Sequence, residues 1–484
     1  MATTAAVGTG VAAAMDKHPK GLYVLFATEM WERFSFYSML AMFTLYLRDG
    51  TEGFGWSPAE ATSLYSNYLM FVYLSPLVGG IIADRLTGYR RAVMVGGLFF
   101  IAGHLLLSFS SLTAVYAALT CLVIGNGFFK PNVSTMVGNL YPEGSHLKDR
   151  AYNIFYMGIN IGAFIAPLIA GWVRSKFGFH PAFAVAAGGM VISVWILFQF
   201  RKHIEEPRTK PEAAATAFPT AATRSAVTAT DTAATAVDAP PHGVSHQDAS
   251  NASRRDVMEA VPEWKRIVAL IVIFAVVIIF WMVFHQNGST LTYWADANTD
   301  WTMFFSPQTA KEAGGIISNS INPFWVITLT FPLVFFWKWL DKRGLEPSTP
   351  TKMAFGMTLT GLSFFILFFA ARMGEASAAG DPYAFRVSPL WLITAYFVVT
   401  LGELMLSPMG LSLVSKVAPV RLRGLMMGGW FVATAMGNKL TQIGVFWDRW
   451  LHSSFFGVLG GMALIMAVVL FLLLKPLKKA MPGV

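Results

Sequence analysis

Glu29, Glu32 and Arg33 stand inside one apolar stretch, Gly21 to Leu47, at offsets of three and four that put all three on one face of a helix. On insertion scales each charge at the centre of a membrane span costs roughly 2.5 to 3.5 kcal/mol, so three turned to lipid would cost at most about 8 to 10 kcal/mol. That face is therefore expected to point into a polar cavity. Intramembrane ionisable groups usually mark substrate or proton paths; an ion cluster that only fixes helix register is the plainer reading of the same residues. Lys130 adds a second cation in Gly125-Asn126-Gly127-Phe128-Phe129-Lys130-Pro131-Asn132, where two glycines and a proline allow close packing and a bend. The sequence pairs the two cations with Glu29 and Glu32. Farther along, Gly402-Glu403-Leu404-Met405-Leu406-Ser407-Pro408 embeds an unpaired acid in another apolar run, followed by a helix-distorting proline. Arg33 and Lys130 facing Glu403 would complement a small zwitterion with a free carboxylate and a free amine. A short peptide fits this description, and so does an amino acid: the pattern gives charge type and not length.

These residues need helices long enough to cross a bilayer, and the composition supplies them. Of 484 residues 55% are hydrophobic and only 13% charged, with a mean hydropathy of +0.53. That is more apolar surface than a water-soluble core could hide. Twelve apolar runs approach the roughly 20 residues a spanning helix needs: Gly21 to Leu47, Pro58 to Ala83, Arg91 to Phe109, Leu112 to Val137, Asp149 to Val173, His180 to Phe200, Trp264 to Phe284, Gly315 to Leu340, Met353 to Ala371, Pro389 to Val417, Arg423 to Ile443 and Phe455 to Leu474. The short alternating segments of a barrel are missing, so the expectation is an all-α membrane protein.

Between the sixth and seventh runs, residues 203–260 are dominated by Ala, Thr, Ser, Pro and Asp and read as a flexible linker. The chain divides accordingly into an N-terminal bundle of six helices (1–202), the linker (203–260) and a C-terminal bundle of six (261–484). Placing both termini in the cytoplasm assigns 26 Lys and Arg to inside segments and 7 to outside loops, while Arg33, Lys130 and Lys439 fall within spans. The net charge of +9 thus reflects topology and not nucleic-acid binding. Residues 1–20 lack the apolar core and cleavage site of a signal peptide, so the first helix is expected to direct insertion. Cys121 has no partner and reads as a small apolar filler. The nine histidines are scattered, and neither a metal-ligand cluster nor a nucleophile and base at motif spacing is present, so no metal, no other cofactor and no enzymatic activity are expected.

The loop after the second run, Gly79-Gly80-Ile81-Ile82-Ala83-Asp84-Arg85-Leu86-Thr87-Gly88-Tyr89-Arg90-Arg91, has small residues at a helix end, an acid, a tight turn at Gly88 and a basic cluster. It resembles the loop motif shared by major facilitator transporters, whose two halves rock about a site near the midplane. Glu29-Met30-Trp31-Glu32-Arg33-Phe34-Ser35-Phe36-Tyr37 then resembles the ExxERFxYY signature of proton-dependent oligopeptide transporters. Phe129-Lys130-Pro131-Asn132, Phe155-Tyr156-Met157-Gly158-Ile159-Asn160-Ile161-Gly162, Ser320-Ile321-Asn322-Pro323 and the segment around Glu403 look like further motifs of that family, in family order.

The resemblance implies that Glu29, Glu32 and Arg33 take part in proton coupling, and that Arg33 and Lys130 help hold a peptide carboxylate. It implies that Asn160, Asn322 and Glu403 lie around the peptide backbone and amino terminus, and that Tyr37, Tyr68, Ser407 and Trp430 line the cavity wall. For Tyr68 and Trp430 a packing role is an even alternative. Phe36 replaces the first of the two signature tyrosines and removes a hydroxyl. The linker is too polar to supply the two extra helices of many bacterial members. His285 occupies the seventh-helix position where many members carry glutamate; an imidazole ordinarily titrates near about 6.5, so His285 is a candidate proton site, with an idle polar residue at the helix end as the alternative.

The mechanism this implies is symport by alternating access: a proton neutralises Glu32, Arg33 is freed for a substrate carboxylate, and the ion pair re-forms after release. The expected partners are small peptides, protons and the lipid bilayer, with the chain acting as a monomer in a bacterial inner membrane. A same-fold carrier of nitrate or a specialised metabolite is the alternative, although Glu403 would repel a simple anion; a membrane peptide sensor is another.

Overall fold

The computed structural model describes residues 17–141, 147–204, 258, 260–378 and 380–482. Nearly all of the expected linker, 205–257, lies outside the described residues. Fourteen α-helices are described: α1 (Lys20–Arg48), α2 (Pro58–Ile82), α3 (Tyr89–Leu106), α4 (Leu112–Asn139), α5 (Leu147–Phe177), α6 (Phe179–Gln199), α7 (Glu263–Phe284), α8 (Thr290–Ala297), α9 (Pro307–Ile317), α10 (Ile321–Asp341), α11 (Thr349–Ser377), α12 (Pro389–Val417), α13 (Arg423–Leu440) and α14 (His452–Ala480).

They make twelve spans, because two spans are broken. α7 continues into α8 through a tight turn at His285–Gly288, and α9 into α10 through Ser318–Ser320. The sequence reading missed α8 and α9, whose polar and small residues interrupt the apolar pattern. Nine of these spans are long and apolar enough to cross a membrane by composition. The other three are α1, with Glu29, Glu32 and Arg33 at its middle, and the 18-residue α3 and α13, which open on Tyr89-Arg90-Arg91 and Arg423-Gly424.

Local signals set several ends. Ser57 and Glu60 form a capping box around Pro58 at the start of α2. Ser306 and Ser388 cap α9 and α12, each followed by proline. α2 ends in a wider π-helical turn, Ala83–Thr87, and the turn expected at Gly88 is present with φ of 74°. There Tyr89 Oη donates to Asp84 Oδ1 at 2.7 Å.

In the N-terminal half α1 packs on α5 and α6, α3 on α4 and α6, and α2 on α4; in the C-terminal half α11 packs on α12 and α14, and α13 on α7. The halves meet where α2 lies against α13 and the turn Thr441–Phe446, and where α5 lies against α9 and α10. Bonds across this seam include Thr44 Oγ1 to the Gly288 carbonyl (3.0 Å), Thr62 Oγ1 with Tyr293 Oη (3.1 Å), Ser320 Oγ to the Phe164 carbonyl (2.8 Å) and Arg174 Nη1 to the Glu312 carbonyl (2.8 Å). All four lie between the middle of the molecule and the face away from the chain ends.

Candidate functional site

The charged face of α1 is buried against protein, as its cost in lipid requires. Glu29, Glu32 and Arg33 are each no more than 3% exposed. Arg33 donates through Nη2 to Glu32 Oε1 at 2.6 Å and through Nε to Glu32 Oε2, while Glu29 Oε1 lies 3.4 Å from Nε. The guanidinium also sits over the Phe36 ring at 4.9 Å, so the phenylalanine that departs from the signature supplies a cation–π surface in place of a hydroxyl. Gly162 lets α5 lie on this part of α1: a Cβ there would fall 2.3 Å from the Met30 carbonyl oxygen and 3.1 Å from Arg33 Cβ.

Lys130 departs from the expected pairing. Both acids turn to Arg33, and Lys130 makes no ion pair within 4 Å among the described residues. Its Nζ stands 4.9 Å from the centroid of the Tyr73 ring. That same ring meets His285 of the other half edge-on at 5.8 Å, and His285 stacks on Trp281 at 4.8 Å. His285 is 8% exposed and its Nδ1 has no hydrogen-bond partner. It therefore sits within the protein at the break between α7 and α8. Tyr73 was not singled out from the sequence: it is one of three tyrosines in α2 and has no local signal of what it will touch.

In the C-terminal half Asn322 Nδ2 donates to Glu403 Oε2 and to Thr400 Oγ1, both at 2.9 Å. The break before α10 places Asn322 one residue into that helix, where it meets Glu403 on α12. Ser407 lies one turn farther along α12 and is half-buried. Asn160 donates to the Tyr156 carbonyl of its own helix at 2.9 Å. Tyr37 follows Phe36 on α1 and meets its ring edge-on at 5.3 Å. Arg33 and Lys130 thus stand in the N-terminal half, on α1 and α4, and Glu403 in the C-terminal half, on α12.

Two expected wall residues are packed. Tyr68 is 2% exposed, tilts against Phe43 at 6.3 Å and leaves its hydroxyl unpartnered. Trp430 is 3% exposed, meets Phe274 edge-on at 6.4 Å and fills the space left by Gly410, where a Cβ would come within 1.7 Å of its ring. No group of three or more His, Cys, Asp or Glu placed to hold a metal occurs among the described residues.

The chain is similar to membrane transporters along nearly its whole length. The chain is 32% identical to an uncharacterized transporter, YclF, of Bacillus subtilis (strain 168), over 96% of each chain. It is 31% identical to a di-/tripeptide transporter of Lactococcus lactis subsp. lactis (strain IL1403), covering 96% of this chain and 97% of that one. Among solved structures it superposes on a mutant of the peptide transporter POT in complex with alafosfalin, with a TM-score of 0.78, 31% identity and 97% of each chain covered. It also superposes on a POT family transporter in complex with 5-aminolevulinic acid, with a TM-score of 0.77, 25% identity and 96% and 98% covered. These neighbours have the major facilitator fold. The sequence pattern of the POT family matches residues 90–446, and the chain belongs to that family of membrane transporters.

Proposed function

We propose that this protein is a proton-coupled symporter that imports di- and tripeptides across a bacterial inner membrane by alternating access. The observation that carries the reading is that each half holds an ionisable group within its spans, Arg33 with its acids on α1 and Glu403, bonded to Asn322, on α12. Opposite charges in the two halves favour a substrate with a carboxylate at one end and an amine at the other, which describes the peptides named for the Lactococcus relative. Arg33 and Lys130 hold the carboxylate; Asn160, Asn322 and Glu403 face the backbone and amine; Tyr37 and Ser407 line the wall.

Glu29, Glu32 and Arg33 carry the coupling, with His285 as a further proton site, and the proton is the only cofactor-like species. The catalytic cycle of an enzyme has no part in this. Six spans precede and six follow a linker at 203–260, and the chain works as a monomer. Both termini face the cytoplasm, which makes the face closed by Thr44, Thr62 and Arg174 the outer one.

The test is uptake of labelled di-alanine into proteoliposomes under an imposed pH gradient and potential, with Lys130→Ala and Glu403→Ala beside the parent. Loss of uptake in both is expected, and unchanged uptake in both defeats the assignment. A second reading rests on one neighbour: 5-aminolevulinic acid, bound in a 25% identical relative, carries an amine and a carboxylate without a peptide bond. Competition of di-alanine uptake by 5-aminolevulinic acid would extend the substrate class to such amino acids.

A further inference from the structure

Lys439 is the one cation placed within a span by the sequence that the proposed site does not use. It lies near the end of α13, on the face of the molecule away from the chain ends, and is half-buried. Among the described residues it makes no ion pair. Its Nζ donates instead to two neutral amide oxygens, Asn67 Oδ1 on α2 of the opposite half and Gln442 Oε1 one turn onward. The Gln442 amide, its oxygen taken by the lysine, turns its Nε2 outward to Ser63 Oγ of the opposite half at 3.2 Å.

The spacing makes this a matched clasp. Ser63 and Asn67 are four apart and share one face of α2; Lys439 and Gln442 are three apart and share one face of the facing segment. Two bonds cross between the halves, and they are coupled because the lysine orients the amide that makes the second one. An ammonium offers three donors and is strongly hydrated, so a half-buried one among neutral acceptors is held only as well as those acceptors are positioned. Were α2 and α13 to part at this face, both crossing bonds would break together and the ammonium would keep Gln442 alone and meet water.

We infer that Lys439 is a positioning residue of the transport cycle, a clasp across the α2–α13 seam that sets how readily this face of the carrier opens. The inference rests on the alternating-access reading for its role in transport, but the clasp is tested by distances that need no substrate. Removing the ammonium with Lys439→Met weakens the closed face. Placing a carboxylate opposite it with Asn67→Asp, which keeps the side-chain shape, converts a bond to a neutral oxygen into an ion pair in a poorly solvated seam and tightens it.

The experiment labels Thr113→Cys in the N-terminal half and Met303→Cys in the C-terminal half, both exposed on this face, in a Cys121→Ala background, and reads the distance distribution in lipid nanodiscs by pulsed electron resonance. Relative to the labelled parent, Lys439→Met is expected to raise the ratio of long to short distances by roughly tenfold, and Asn67→Asp to lower it by a similar factor, as a charge-assisted bond lost or gained implies. Di-alanine turnover falls in Asn67→Asp while its binding affinity is kept, separating a clasp from general damage. Distributions in Asn67→Asp that match the parent overturn the inference, whether or not Lys439→Met folds. Shifted distributions in a protein that carries no peptide keep the clasp and remove the proposed substrate instead.

Discussion

Replacing Glu32 by glutamine tests whether the buried pair on α1 moves the proton. In the structure Arg33 is held by two bonds to Glu32 and a single approach from Glu29 at 3.4 Å. Glutamine keeps an acceptor for Nη2 but sets an amide NH2 against Nε, donor facing donor, and removes one negative charge. A charge-assisted bond contributes about 1.5 to 3 kcal/mol net and a neutral one about 0.5 to 1.5, so the pair weakens by about 1 to 2 kcal/mol. Glu29 remains as a counter-charge, so the fold is expected to survive. The transport consequence is larger: one proton moving down 100 mV releases about 2.3 kcal/mol, roughly fiftyfold accumulation, all of which is lost if Glu32 is the carrier. In proteoliposomes under an imposed potential, Glu32→Gln should bring the inside-to-outside ratio of labelled di-alanine to about one. Counterflow between peptide pools, which requires no net proton movement, should persist. Accumulation at the parent level, or loss of counterflow together with accumulation in a folded protein, refutes the reasoning.

Glu403→Gln should erase the preference for a free amine, so that N-acetylated and unmodified di-alanine compete equally for binding; a retained preference would place the amine elsewhere. His285→Gln should lower proton-driven accumulation while leaving peptide affinity intact, and full accumulation would pass the coupling role to Glu29 and Glu32. Gly162→Val should abolish the monodisperse peak in size-exclusion chromatography, because overpacking usually costs about 1 to 3 kcal/mol and here the obstacle is the Met30 backbone. Gly188→Ala, with nothing within 4 Å of its added Cβ, is the control. At the end of α1, burial pushes the Asp49 carboxyl upward, but hydrogen bonds from the Thr51 hydroxyl and from the Glu52 and Thr51 N–H groups, with Arg174 nearby, outweigh it and hold the group below its ordinary value of 3.8. A lowered folded value stabilises above the unfolded one and is lost as pH falls through the folded one. Asp49→Asn should therefore lower the melting temperature at neutral pH, with the difference starting to shrink near about pH 4 and gone only once the pH is below the folded value.

The helices were legible wherever apolar residues ran long enough, and α1 was legible through its charges, which are expensive enough in lipid to announce a buried face. Glu403 and Asn322 were named apart and meet at 2.9 Å. The partners of Lys130 were not legible. Charge balance suggested an acid, whereas Arg33 takes both carboxylates bidentately and through a close approach, leaving the lysine to an aromatic ring that nothing in its own neighbourhood marks. Trp430 shows the limit from the other side: a tryptophan and a glycine 20 positions apart in sequence give no hint that one fills the other's empty place. Broken spans were missed for a simpler reason, since α8 and α9 are bounded by polar and small residues that a search for continuous apolar runs discards.

The order of synthesis gives the burial of α1 a further meaning. This helix leaves the ribosome before α5 and α6, yet the surfaces that enclose it belong to them: Gly162 of α5 against Met30, Ala186 of α6 accepting from Ser35, and Ser193 of α6 donating to the Thr28 carbonyl at 2.6 Å. Until α5 and α6 have been made, three ionisable groups have no enclosure. α1 must wait, shielded at the insertion machinery, for α5 and α6 to arrive, so fragments ending before residue 150 would be poor membrane residents and ready targets for quality-control proteolysis.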